Sequence, residues 1–131
     1  MGSAQMIVLD TSAVIFSTID TAKLSERAAE AIEQADQIVI NSISIWEIGW
    51  KVNLGKLKLP FSVEELVTRL KNTDRIDIVS VTEVMWLENV NLAWEHRDPA
   101  DRTIVATALL LDCPLISNDY RIQQFYPQTL W

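Results

Sequence analysis

The sequence predicts an α/β fold in three layers, with helices on both faces of a central parallel sheet. Short apolar runs, "MIVL", "QIVIN", "IDIVSV" and "LIS", alternate with segments that carry helical spacing or helix-start chemistry, the order expected of βα units. The runs are continuously apolar rather than alternating, which suits strands buried on both faces. Gly and Pro total seven in 131 residues and are dispersed, with no repeat and no linker, so residues 6–131 are expected to form one domain. The opening "MGSAQ", residues 1–5, reads as a disordered or vector-derived leader before a native start at Met6.

In chain order, "MIVLD" is a buried strand ending at Asp10, followed by polar "TS". Residues 25–35 form a helix whose Ala28, Ala31, Ile32 and Ala35 recur at helical spacing and face inward. "QIVIN" is the second strand. The run "NSISIWEIGWKV" follows as a helix in which Ile45, Ile48 and Val52 form one stripe and Trp46 and Trp50 another, and both are expected to pack in the core. It stops at "NLGKL", where Gly55 suits a left-handed C-terminal position. Ser62 and Glu65 have capping-box spacing, so a helix starts near Ser62. "IDIVSV" is the third strand, and "VTEVMWLENVNLAW" a helix beginning near Thr82. Its tryptophans, Trp86 and Trp94, are the ones expected to be open to a partner. Residues 100–111 are helical and lead into the strand "LIS", and a last short helix and strand take up "YRIQQFYPQTLW".

Composition excludes several classes. One cysteine, Cys113, and one histidine, His96, leave no intrachain disulfide and none of the common zinc sets, so any metal must be held by oxygen. No apolar run approaches the roughly 20 residues of a bilayer span, and a cytoplasmic protein with no membrane partner is expected. The net charge of -7 argues against a nucleic-acid partner only until the acids are located.

Asp10 ends the first strand, Asp119 follows "LIS" by two residues, Glu47 lies about a turn into the helix after the second strand, and Asp101 lies in the first turn after "EHRDP". Ligands of open parallel sheets bind outside the carboxyl ends of the strands, and all four acids fall on that rim. Each has an ordinary explanation. Asp10 and Asp119 suit helix N-caps, Asp98 and Asp101 complement a helix start with Pro99, and Glu47 can pair with Lys51 at i,i+4. Jointly they describe a site: close carboxylates repel by about 4 kcal/mol per pair at an intermediate dielectric, and a hard divalent cation converts that repulsion into binding. An all-oxygen set suits Mg²⁺, with Mn²⁺ as a substitute, and the chemistry this supports is phosphodiester hydrolysis.

The segments "VLDTSAVI", "SIWEIGWKVNLGKLKLP" and "HRDPADRTIVATALLLDCPLISND" with the terminal tryptophan resemble the PIN-domain ribonucleases, in particular the VapC-type toxins of bacterial toxin-antitoxin pairs. The resemblance spans Met6 to Trp131. It implies a three-layer α/β/α PIN-like fold and Mg²⁺-dependent RNA cleavage by Asp10, Glu47, Asp101 and Asp119, which would be both the catalytic and the metal-binding residues. It also implies a homodimer and a VapB-like antitoxin whose tail covers the site, for which an apolar groove near residues 42–70 would serve. Thr11 or Ser12 matches the family's hydroxyl beside the first acid, and Asn118 and Asp98 stand beside the set as supporting groups. Lys51, Arg97 and Arg102 are the candidate contacts to RNA. Glu95 and Ala100 depart from the pattern, where a second histidine and an aromatic are common, and His96 is left without an assigned role.

Two other readings compete. A catalytically silent domain of the same fold would have no need of all four acids. A receiver-type phospho-acceptor module needs an acid ending a central strand and a lysine after a late one, whereas "IDIVSV" ends without an acid and "LIS" is followed by Asn118.

Overall fold

The computed structural model describes residues 5–131; Met1 to Ala4 of the expected leader lie outside the described residues. The elements run β1 (Met6–Leu9), α1 (Thr11–Ile19), a 3₁₀ turn (Thr21–Lys23), α2 (Glu26–Gln34), β2 (Gln37–Asn41), α3 (Ile43–Asn53), α4 (Val63–Lys71), β3 (Ile76–Val79), α5 (Glu83–Asn91), α6 (Pro99–Leu111), β4 (Leu115–Ile116), α7 (Tyr120–Phe125) and β5 (Thr129–Leu130). The strands form one sheet in the order β3-β2-β1-β4-β5, and every pairing is parallel. Chain order moves outward from β1 to β3 on one side and from β4 to β5 on the other. The reversal falls between β1 and β4, the switch point at which open α/β sheets form a crevice.

Continuous apolar strands follow from two cores, one on each face. Ile7, Leu9, Ile38 and Ile40 pack on one face against Ala13 and Val14 of α1, Ala28 of α2, Ile48 of α3 and Leu66 and Leu70 of α4. Val8, Val39 and Leu115 point the other way, onto Ile104, Val105 and Ala108 of α6, with Ile122 of α7. Successive strand residues therefore serve opposite layers, and both must be apolar.

Local signals account for the helix boundaries. Ser25, Ser62 and Thr82 each accept a hydrogen bond from the backbone N–H three residues on, at 3.0, 3.0 and 3.2 Å. The capping box at Ser62 is only half formed, because the Glu65 carboxylate turns to Arg69 at 3.2 Å. Gly55 has φ +71°, as its helix-ending position requires. The polar "TS" opens a nine-residue helix, α1, in keeping with an N-cap at Asp10. Two expectations are corrected. The fifth helix ends at Asn91, so Trp94 lies beyond it and stacks on Phe125 with centroids 4.7 Å apart. Trp46 and Trp50 are not in the core: they are 53% and 51% exposed, because on a 3.6-residue period their stripe lies opposite buried Ile48. Among the described residues no helix is long and apolar enough to cross a membrane.

Candidate active site

The four acids meet in one cavity of about 230 Å³ at the switch point, lined also by Thr11, Ser12, Lys51, Asp98, Asn118 and Arg121. Asp10 is carried there by the end of β1. It is the N-cap of α1, and the Ala13 N–H donates to its Oδ1 at 2.8 Å. Asp119 caps α7 through Oδ1, which accepts from the Arg121 N–H at 2.8 Å. Asp98 caps α6 through the Asp101 N–H at 2.9 Å, with Pro99 at the first helical position. Capping therefore does occur at these aspartates, and it is also what aims them. Each N-cap bond engages one carboxylate oxygen, while the helix N-termini direct positive partial charge toward the same space.

Glu47 reaches the cavity from α3. The turn into that helix is fixed by fully buried Asn41, whose Oδ1 accepts from the Ile43 N–H at 2.9 Å while its amide donates to Thr107 of α6 at 2.9 Å. Lys51 Nζ is 3.9 Å from Glu47 Oε2, so the i,i+4 pair exists but is long, and both side chains face the acid cavity. The hydroxyls of Thr11 and Ser44 are 2.9 Å apart and buried, tying α1 to α3. Ser12 lines the cavity beside it.

Asp10 is 5% exposed. Burial pushes its carboxyl up to about 6, with the Asp101 and Asp119 charges adding to the rise and hydrogen bonds from Ser117 and Ala13 opposing it. Asp101 is also raised, first by burial and then by Asp98, Asp119 and Glu47, against the hydrogen bond from His96. These acids are close enough to feel one another. They are not drawn around one point, however: among the described residues no three His, Cys, Asp or Glu side chains are already grouped to hold an ion. The donor set still fits a hard cation such as Mg²⁺, which keeps several waters and needs only one or two direct carboxylates.

The structure gives His96 a definite neighbour. Its Nε2 lies 2.7 Å from Asp101 Oδ2, and against an ionised carboxylate this nitrogen must carry the hydrogen. The Trp94 ring, 4.9 Å from the imidazole, packs behind it. Arg121 was not anticipated, and its guanidinium sits 3.5 Å from Asp119 Oδ2. One sequence signal pointed to it: an arginine in the first turn of a helix opposes the macrodipole, so a nearby acid is the natural compensation.

Arg102, expected to contact RNA, is instead a structural tie. Its five N–H groups donate to Asn89 Oδ1 and to the carbonyls of Trp94, His96, Asn89 and Leu92, which leaves none for a phosphate. Arg97 is exposed in the loop before α6 and is not part of the cavity lining. Of the three cations expected at substrate, Lys51 alone lines the cavity.

The PIN domain family model matches residues 7–126. The chain is 28% identical over 129 residues to Ribonuclease VapC22 of Mycobacterium tuberculosis, covering 95% of this chain and 98% of that protein. Among solved structures, a toxin-antitoxin complex from Klebsiella pneumoniae superposes with TM-score 0.65 at 20% identity, covering 98% of this chain and 97% of the other. VapBC2 from Rickettsia felis bound to a promoter DNA fragment gives TM-score 0.68 at 14% identity, covering 97% and 98%. At these identities the two structural likenesses establish the fold.

Proposed function

Because the chain belongs to the PIN domain family, we propose that it is a Mg²⁺-dependent endoribonuclease, the toxin of a VapBC-type pair, acting in the cytoplasm. The observation that carries this reading is the convergence of Asp10, Glu47, Asp101 and Asp119 on one cavity at the sheet's switch point. A relative named as a VapC ribonuclease supports it. A silent domain would not need to hold Asp10 buried against two other carboxylates, an arrangement that raises its pKa and costs stability.

In this reading the four carboxylates would hold Mg²⁺, or Mn²⁺ in its place. When bound, the cation makes water a competent nucleophile near neutral pH and offsets charge on the phosphoryl oxygens. The chain's own groups do the rest. His96 holds the Asp101 side chain and the Asp98 cap holds its backbone N–H, while Ser12 and Asn118 offer neutral hydrogen-bonding groups on the wall. Lys51 and Arg121, paired with Glu47 and Asp119 in the free protein, can turn to the phosphates of an incoming strand.

The anionic cavity suits inhibition by an antitoxin that inserts a positively charged side chain, and structural neighbours that are toxin-antitoxin complexes support such a partner. The apolar surface on offer lies on α3 and α5 rather than on α3 and α4, since Val84, Leu87 and Val90 of α5 are all exposed. That α5 face suits a homodimer contact. The test is cleavage of labelled RNA by purified protein: activity is expected with Mg²⁺ or Mn²⁺ and lost in excess EDTA. Cleavage that persists in EDTA contradicts the reading, with Asp10→Asn as the control for contaminating nuclease.

A further inference from the structure

The loop from Leu92 to Asp98 carries no helix or strand, yet its path is held from two sides. Arg102 of α6 donates to the carbonyls of Trp94 at 2.6 Å, His96 at 3.0 Å and Leu92 at 3.3 Å. The Trp94 ring stacks on Phe125 of α7 and lies 4.9 Å from the imidazole of His96. Pinned in this way, the loop brings His96 Nε2 to 2.7 Å from Asp101 Oδ2, with 10% of the His96 side chain exposed. His96 is not part of the acid cavity lining, so it is not placed to touch a phosphate or a leaving group. Its chemistry has to act through Asp101.

Asp101 needs such a hold. The helix and the Asp98 cap fix its backbone, but the carboxylate still turns about χ1 and a soft χ2, and the charges of Asp98, Asp119 and Glu47 all bear on it. Without a cation, that repulsion favours a rotamer turned away from the other acids. The His96 hydrogen bond opposes the turn: it engages Oδ2, while Oδ1 accepts no hydrogen bond among the described residues and stays open to a cation. We infer that His96 is a positioning residue whose Nε2–H holds Asp101 ready in the free protein and thereby sets how tightly the site binds Mg²⁺ or Mn²⁺. This rests on the cation-dependent nuclease reading and adds to it a group outside the cavity that governs cation affinity. Hydrogen-bond partners behind metal ligands are worth about ten- to a hundredfold in that affinity. A tie that merely fastened the loop to α6 would change stability and leave cation binding alone.

Glutamine and asparagine supply the test, because they carry the same amide donor at different reach. The glutamine amide nitrogen can take the place of imidazole Nε2, whereas that of asparagine stops short of Asp101. Mn²⁺ binding to the full chain, without RNA, is read from the paramagnetic resonance signal of the free ion. His96→Asn should bind Mn²⁺ about ten- to a hundredfold more weakly than the unmutated chain, and His96→Gln nearly as well as it. In cleavage of labelled RNA, His96→Asn should need more Mg²⁺ by the same factor and approach the unmutated rate once Mg²⁺ saturates. Thermal unfolding in EDTA verifies that each variant is folded. Unchanged Mn²⁺ affinity in folded His96→Asn overturns the inference, as does His96→Gln binding as weakly as His96→Asn, which would make the ring's packing matter rather than its N–H. Cleavage lowered alike at every Mg²⁺ concentration also overturns it, since a lost fraction of folded protein lowers the plateau and leaves the Mg²⁺ requirement where it was. If His96→Asn does not fold, His96→Gln decides: retained Mn²⁺ affinity supports the inference and lost affinity overturns it. If the unmutated chain binds Mn²⁺ and cleaves RNA while both variants match it, this inference alone fails. If the unmutated chain binds no Mn²⁺, the cation-dependent reading fails and takes the role of His96 with it.

Discussion

Replacing Asp10 with asparagine should make the cation-free protein more stable, and more so as pH rises. The Asp10 carboxyl is 5% exposed and is pushed up from 3.8 to about 6, by burial first and by Asp101 and Asp119 after it. Between those values the folded chain keeps a proton that the unfolded chain has released, so stability falls as pH increases. The group's contribution is fully present below 3.8 and is lost as pH passes through about 6. A shift of that size corresponds to roughly 3 kcal/mol. Asparagine cannot ionise, fits the same space and is as good an N-cap, so the Ala13 hydrogen bond survives. In EDTA, urea unfolding should find variant and wild type alike near pH 4, and the variant more stable by up to about 3 kcal/mol near pH 8. Adding Mg²⁺ near pH 8 should then raise the wild type more than the variant. A gap between the two proteins that does not change between those pH values would refute the reasoning, because it would mean that ionising Asp10 costs nothing in the fold.

Glu47→Gln removes a pair 3.9 Å long, worth about 0.5 kcal/mol or less. Thermal unfolding without cation should therefore move little while RNA cleavage falls by orders of magnitude and the Mg²⁺-induced stabilisation shrinks; near-normal cleavage with an unchanged Mg²⁺ effect would return Glu47 to its pairing with Lys51. Arg102→Ala strips a partly buried cation from four carbonyls and the Asn89 side chain, and should cost about 2–4 kcal/mol in chemical unfolding; lysine should not rescue it, since it lacks the planar fork. Co-expression with a protein encoded beside this one should restore the growth of cells producing this chain, and a neighbour that neither binds nor restores growth would contradict the proposed antitoxin pairing.

Most of the framework was legible in the sequence because it rests on local rules. Strand burial showed as unbroken apolar runs, and Ser25, Ser62, Thr82 and Gly55 marked helix ends through backbone chemistry that needs no tertiary partner. The acids were legible as a group because their positions relative to strand ends were, and strand ends in a parallel sheet share one rim. The α1 helix was legible only at its start, where Asp10 suits an N-cap: "TSAVIFSTI" is rich in β-branched residues, which weigh against helix, and its extent is set by packing of Ala13 and Val14. Trp46 and Trp50 were misplaced for a different reason. Periodicity shows that α3 has two apolar stripes, but which stripe meets the sheet depends on the angle at which Asn41 launches the helix. His96 had no role legible in the sequence and Arg102 was placed at RNA, since whether a side chain meets a carboxylate or a ring of carbonyls is decided by the path of the loop from Leu92 to Asp98, which carries no periodic signal.

In the proposed function, four carboxylates from separate elements act as one cation-dependent nuclease site. Cleavage of a 5′-labelled RNA, titrated with Mg²⁺, should be compared for the wild type and for Asp10→Asn, Glu47→Gln, Asp101→Asn and Asp119→Asn, with folding of each verified by thermal unfolding. Each substitution should lower cleavage by about a hundredfold or more, in line with the loss of a positioned charge at a site of catalysis, while the protein remains folded. Near-wild-type cleavage by two or more folded variants, at the same Mg²⁺ requirement, would mean that the cavity is not where the bond is broken.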